Sequence, residues 1–183
     1  MMIERIRREH GYMVRLLAIL RQKLALLKNE EMINYSLVRD VVDYLANHSE
    51  KVHHPKEDII YHYFLSHYGH QFEISNLELE HQQLSQKTHE FLDVVDMILK
   101  DAVIPQDVFV GLLEEFLATQ KRHLETEEGS ILPLIDRTFK TSDWQAVEKL
   151  WDVCEEDPLF GETIADKYQQ LSRRVNQLNS ECV

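Results

Sequence analysis

The chain has 183 residues, with 20 Lys and Arg against 32 Asp and Glu, a formal net charge of −12, and 44% hydrophobic residues. That is one domain's worth of chain with enough apolar material for its own core, which excludes a disordered polypeptide. So acidic a balance also argues against partners held through phosphate contacts, nucleic acid and anionic membrane alike.

Only 5 glycines and 4 prolines are present, too few turn residues for a sheet protein. Apolar residues recur instead at steps of three and four, the period of a helix with one buried face. The first helix is predicted over about 3–28, from Ile3 and Ile6 through Leu16, Leu20 and Leu27. A second follows the cap candidate Ser36, carries Leu37, Val41, Tyr44, Leu45, Ile60 and Phe64, and stops at Gly69. The third opens near Ser75 or Asn76 and runs through Leu77, Leu84, Phe91 and Val95 to Leu99. Pro105 marks the first turn of the fourth, with Asp107 in its acidic start and Leu113, Phe116 and Leu117 on its apolar face. Pro55 and Pro133 each remove a backbone donor, so each predicts a kink. Two short helices follow, over about 143–156 with Trp144, Val147 and Trp151, and over about 161–178, separated by the turn Asp-Pro-Leu-Phe-Gly. The expected fold is all-α: an up-down-up-down four-helix bundle over 1–140, with 141–183 as a helical C-terminal extension packed on it.

No apolar run reaches the roughly 18 residues that span a bilayer. The start is charged from Glu4 onward, so neither a membrane span nor a secretory leader is expected. Cys154 and Cys182 form no metal or disulfide spacing, which fits a reducing compartment, and the expected location is cytoplasmic.

The chain holds 10 histidines, and some of them keep a repeated order. His53 with Glu57, and His123 with Glu127, each form H-x-x-x-E, which places both side chains of a pair on one helix face a turn apart. A lone histidine precedes each pair, His10 on the first helix and His81 on the third, and the two offsets differ by a single residue. Matched offsets are expected of two antiparallel hairpins related by an approximate twofold, in which residues at equal heights converge in the core. Four imidazoles and two carboxylates buried without a partner would cost several kcal/mol per charge. Metal relieves that cost. Imidazole with carboxylate and no thiolate suits iron, manganese or zinc. Four histidines, two bridging carboxylates and a solvent bridge leave about two of the roughly twelve positions of two six-coordinate ions open.

With these residues in place, the sequence resembles the hemerythrin-like family, whose members carry a histidine on the first helix and H-x-x-x-E motifs on later ones. The matching text is REHGYM at 8–13, VHHPKEDIIY at 52–61, LEHQQL at 79–84 and RHLETEEGSILP at 122–133; DPLFG at 157–161 with Tyr168 looks like the C-terminal extension of free-standing bacterial members. The resemblance implies a non-haem site of two iron ions, with manganese or zinc as possible substitutes, that binds dioxygen, nitric oxide or peroxide. Glu57 and Glu127 would bridge the ions, and His10, His53, His81 and His123 would be terminal ligands. The oxygen carriers of that family have a further histidine at the slot held here by Ser85, and an aspartate one residue beyond the slot of Glu127. A four-histidine, two-carboxylate set is more similar to the iron–sulfur-repair and nitric-oxide-linked branch. An iron- or oxygen-sensing module without turnover, and metal as a purely structural element, are the alternatives.

The remaining candidates have blander readings. His54 with Asp58 nearly repeats the spacing one residue along, about 100° round the helix; it is expected beside the site or facing solvent, with replacement of His53 and Glu57 in the set as the alternative. His48, His62, His67, His70 and His89 lack matched partners and are expected at the surface or as satisfied interior groups. Glu128 is expected to be solvated or beside the site. Tyr12, Tyr44 and Tyr61 are expected mainly to fill core space, with hydrogen bonding to the site as the alternative. Ser85, one turn beyond His81, is expected to face the metals with solvent beside it.

Overall fold

The computed structural model describes residues 2–151 and 156–181. Its regular elements are all helical, with no strand among the described residues. Helix α1 spans Met2–Lys28. Helix α2 (Tyr35–Tyr44) continues through a π-helical stretch, Leu45–His53, into α3 (His54–Tyr68). After α4 (Phe72–Leu99), α5 (Gln106–Thr126) continues in the same way through a π-helical stretch, Glu127–Ile131, into α6 (Leu132–Thr138). Helix α7 (Thr141–Leu150), a 3-10 turn at Asp166–Tyr168 and α8 (Gln169–Glu181) complete the order. Cys154, Cys182 and the stretch 152–155 of the expected fifth helix lie outside the described residues.

Several ends differ from expectation for local reasons. Asn34, not Ser36, caps α2: its side chain accepts the Leu37 N–H at 3.1 Å. Helix α4 begins at Phe72, ahead of Ser75, whose hydroxyl donates to the Gln71 carbonyl at 2.8 Å inside the first turn. Pro105 stands immediately before α5 as its cap. Gly69 does end α3, at φ 91°, where a side chain would be strained. The last helix starts only at Gln169, because the preceding residues form the turns that anchor the C-terminal segment.

The two prolines act in one way. Each is the second residue of an α-helix that leaves a π-helical stretch, and the residue just ahead of it donates to a carbonyl five positions back: His54 N–H to Ser49, and Leu132 N–H to Glu127. A proline has no N–H and its ring crowds the carbonyl four residues behind it. The expected discontinuity thus takes the form of a wide turn, a feature often found at functional sites.

The apolar core falls into two clusters. One holds Leu16, Leu20, Val38, Val41, Val95 and Leu113; the other holds Ile3, Ile6, Ile60, Leu77, Ile131 and Ile135. The chain visits them alternately. Helix α1 passes from the second cluster to the first, α2 to α3 returns, α4 crosses again and α5 to α6 returns. Helix α1 packs on α5 and α2, while α4 packs on α2, α3 and α5. At the crossings, between the apolar runs of each stretch, lie the buried polar residues His10, His53, His54, Glu57, His81, His123 and Glu127. Outside this bundle, α7 packs on α3, and α8 packs on α1 and α2. No described helix is long and apolar enough to cross a membrane.

Candidate metal centre

The six residues singled out by spacing come together, and a seventh joins them. His10, His53 and Glu57 bring a ligand-type atom each within 4.8 Å of one another, and so do His54, Glu57, His81 and His123. Glu57 belongs to both groups. Its Oε1 lies 3.0 Å from His10 Nε2 and 3.2 Å from His53 Nε2, while its Oε2 lies 3.6 Å from His81 Nε2. Glu127 also straddles them: Oε2 is 3.4 Å from His10 Nε2 and 3.3 Å from His123 Nε2, and Oε1 is 3.3 Å from His81 Nε2. Both carboxylates are fully buried, at 0% exposure.

Outer contacts aim the imidazoles inward. The Nδ1 of His10 pairs with Glu128 at 2.7 Å, that of His53 with Glu9 at 2.6 Å, and that of His81 with Asp58 at 2.8 Å. An Nδ1–H given to a carboxylate leaves Nε2 as the lone-pair side, the arrangement that orients metal-binding histidines. The fourth contact is looser, with His123 Nδ1 3.9 Å from Glu80. These acids form a closed ring. Glu9, Asp58, Glu80 and Glu128 each sit next in sequence to a residue of the cluster, and each serves the histidine of a neighbouring helical stretch. The expectation for Glu128 is thereby sharpened, whereas Glu9 and Glu80 had no place in the sequence reading; their signal was adjacency to His10 and His81.

His54 does not face solvent but joins the cluster. Expected beside the site or in solvent, it is only 6% exposed, stacks on His81 with centroids 4.2 Å apart and planes 3° apart, and meets His123 edge-on at 5.5 Å. The wide turn ending at His53 rotates the chain less per residue than an α-helix, so two successive imidazoles reach the interior. Asp58 is not its partner. Ser85, expected to face the metals, instead donates its hydroxyl to Glu50 at 2.6 Å, while the His54 ring stacks on that of His81.

Charge reflects this packing. Burial opposes protonation of His10, but Glu128, Glu57 and Glu127 outweigh it and hold the imidazole up at about 10. Burial likewise opposes protonation of His81, yet Asp58 and Glu127 hold it at about 10. His53 is raised against its burial by Glu57 and Glu9. His54 goes the other way: burial and the neighbouring His81 push it well below its ordinary value, leaving a neutral ring. Although burial alone would raise Glu57, His53 and His10 keep it an anion. Tyr61, buried and donating to Glu127 Oε1 at 2.8 Å, is raised by burial and then by the Glu127 and Glu57 charges.

The other aromatic and histidine expectations divide. Tyr12 stacks on Phe160 at 4.1 Å and Tyr44 donates to Asp157 at 2.7 Å, so both brace the C-terminal turn while Tyr61 reaches the cluster. His48 approaches Asp157 at 3.4 Å and His62 pairs with Glu78 at 3.0 Å. His67 donates to the Tyr63 carbonyl, His70 meets Ser75, and His89 donates to the Ser85 carbonyl.

The cluster fits a metal on the state of its own atoms. His53 Nε2, His123 Nδ1 and Nε2, Glu57 Oε2 and Glu127 Oε2 are buried without a hydrogen-bond partner. Orphaned groups of this kind are rare in folded proteins unless something else satisfies them. A cation among them would satisfy these nitrogens and oxygens together. No curated protein and no solved structure matches the chain. Residues 1–135, which contain every member of the cluster, match the family model described as the hemerythrin HHE cation binding domain. A cation-binding family, an all-helical bundle and a buried layer of histidines and glutamates are one finding seen at three levels: the chain belongs to the hemerythrin HHE cation-binding domain family.

Proposed function

We propose that the chain is an up-down-up-down four-helix bundle holding two iron ions that bind dioxygen, nitric oxide or peroxide. Residues 1–140 would form the bundle and 141–183 a helical extension packed on the same domain. The alternating passage between the two apolar clusters supports the topology, and the packing of α7 and α8 on the bundle helices supports the division.

One observation carries the dinuclear reading: two groups of imidazoles share Glu57, and Glu127 reaches histidines of both. His10 and His53 would hold one ion, His81 and His123 the other, with Glu57 and Glu127 between them. His54 adds a fifth imidazole to the second ion. Five imidazoles, two bridging carboxylates and a solvent bridge fill about eleven of the roughly twelve positions of two six-coordinate ions. About one position therefore stays open, where four histidines alone would leave two. Iron bound there would supply a redox-active Lewis acid with room for one small ligand; manganese or zinc would satisfy the same donors. The chain's own part is to fix the imidazole orientations through Glu9, Asp58 and Glu128, to hold Glu127 through Tyr61, and to exclude bulk water with the two apolar clusters. Small gases and peroxide suit so enclosed a site. The acidic charge supports a role without nucleic acid or anionic membrane, and two cysteines without disulfide spacing support a cytoplasmic setting.

Anaerobic reconstitution with ferrous iron, followed by desalting and metal analysis, tests this. Two ions per chain are expected, with a raised melting temperature, because metal binds only the folded arrangement, and with an optical response to added dioxygen or nitric oxide. One ion or none, without stabilisation, would sink the dinuclear reading.

A further inference from the structure

Beside the cluster, between α3 and α4, lies a cavity of about 330 Å³ whose inner wall includes His54 and His81 and whose other polar walls include Glu50, Asp58, Glu78 and Ser85. Its charge is of one sign. Three carboxylates line it and no lysine or arginine does. The cavity that reaches His123 from the other side of α4 is different, with Lys87 and Arg122 beside Glu80.

The carboxylates of the first cavity descend from solvent towards the imidazoles. The side chain of Glu78 at the rim is 53% exposed, that of Asp58 is 24% exposed, and that of Glu50 is 6% exposed. Glu78 meets His62 and Asp58 meets His81. Glu50 is the deep one and is not fully satisfied. Its Oε2 accepts from Ser85 at 2.6 Å, with His89 Nδ1 3.4 Å away. Its Oε1, near Thr88, is buried without a hydrogen-bond partner, and the Thr88 hydroxyl is already donated to the Leu84 carbonyl. His54, on the same wall, makes ring contacts with His53, His81 and His123, and its imidazole enters no hydrogen bond. The Glu50 carboxylate and the His54 imidazole, on the walls of one acidic cavity, are donor types that a divalent cation takes.

We propose that this cavity is the loading path of the metal centre, in which Glu78, Asp58 and Glu50 draw in a divalent cation and Glu50 passes it to His54 and His81. The proposal rests on the metal-centre reading above. Fields of one sign, focused by a cleft with low-dielectric walls, raise cation concentration and on-rates. Glu50 then acts on the rate of filling and not on the final occupancy, since it lies outside both ligand groups.

The experiment is stopped-flow loading of metal-free protein with cobalt(II) alone, whose visible bands report imidazole coordination. Glu50→Gln keeps the partner for Ser85 while removing the charge. It is expected to slow loading about tenfold and to reach the same final cobalt content. Glu78→Gln, at the exposed rim where folding is not at risk, should slow it about threefold. Glu115→Gln removes the same charge from an exposed site on α5 and should leave the rate unchanged. A wild-type chain that takes up no cobalt would overturn the metal centre and the path with it. Wild type that loads while Glu50→Gln keeps pace, or Glu115→Gln that slows as much as Glu50→Gln, overturns the path alone. So does a Glu50→Gln protein with reduced final content, because Glu50 would then be a ligand.

Discussion

His54 has no counterpart in the second half of the chain, where the matching position is Leu124, a core residue. Its neighbours do repeat: His10, His53 and Glu57 answer to His81, His123 and Glu127, and the acids Glu9 and Asp58 answer to Glu80 and Glu128. The single break in the repeat makes the two groups unequal, two histidines against three. His54→Ala is therefore expected to release about one of two ions on dialysis against a chelator, since the group of His81 and His123 loses a donor while that of His10 and His53 keeps its own. His89→Ala, at an exposed position on α4, should retain both. Equal retention by the two variants, read by metal analysis, would remove His54 from the ligand set. The six spaced residues were legible because a helical period and a twofold repeat are properties of residue number alone. His54 was not, since its inward turn depends on a local change in that period. The acids Glu9, Glu80 and Glu128 are written beside the cluster residues of their own helix but serve a neighbouring helix, a relation that appears only once the helices pack.

At the scale of the element, the two π-helical stretches join packing to chemistry. Each adjoins the H-x-x-x-E pair of its helix, one ending at His53 and the other starting at Glu127, and each precedes a proline by a short step. Proline alone predicts a discontinuity; it does not say that the ladder will slip by one residue instead of bending. The burial of His54 follows from that choice. Pro55→Ala restores a backbone donor and lets the stretch tighten towards a regular helix, turning His53 and His54 relative to Glu57. The metal-free variant is expected to be at least as stable as wild type, while its metal is lost faster to a chelator. A melting temperature well below wild type in the metal-free form would show that the wide turn is required by packing and not by the ligand geometry. Helix existence was readable throughout from apolar period. Starts such as Phe72 and the Asn34 cap were less so, because several polar residues near each end can cap a helix and only one does.

Across the whole molecule, the C-terminal segment is tied to the bundle through Asp157. Its carboxylate accepts the Tyr44 hydroxyl at 2.7 Å and the Leu159 and Phe160 N–H groups at 2.8 Å each, and it lies 3.4 Å from His48. Phe160 then stacks on Tyr12, two residues beyond His10, so the turn braces the helix that carries the first histidine of the cluster. Gly161 closes the turn with its N–H on the Asp157 carbonyl at 2.9 Å, where any Cβ would collide with that carbonyl. Burial would raise Asp157, but His48, the two N–H groups and Tyr44 bring it down to about 2. A carboxyl held lower in the folded chain than in the unfolded one, where it sits near 3.9, stabilises the fold above the unfolded value. That contribution falls away as pH drops through about 4 towards 2. Allowing for solvent screening, it is worth about 1 kcal/mol. Asp157→Ala should therefore unfold more easily in urea at pH 6, by about 1–3 kcal/mol once the lost hydrogen bonds are included, and the gap from wild type should narrow steadily as the pH is lowered to 3. Metal-free protein is the right material, since acid also strips metal from histidines. If the gap at pH 3 equals that at pH 6, the anchoring is steric and owes nothing to the charge of Asp157.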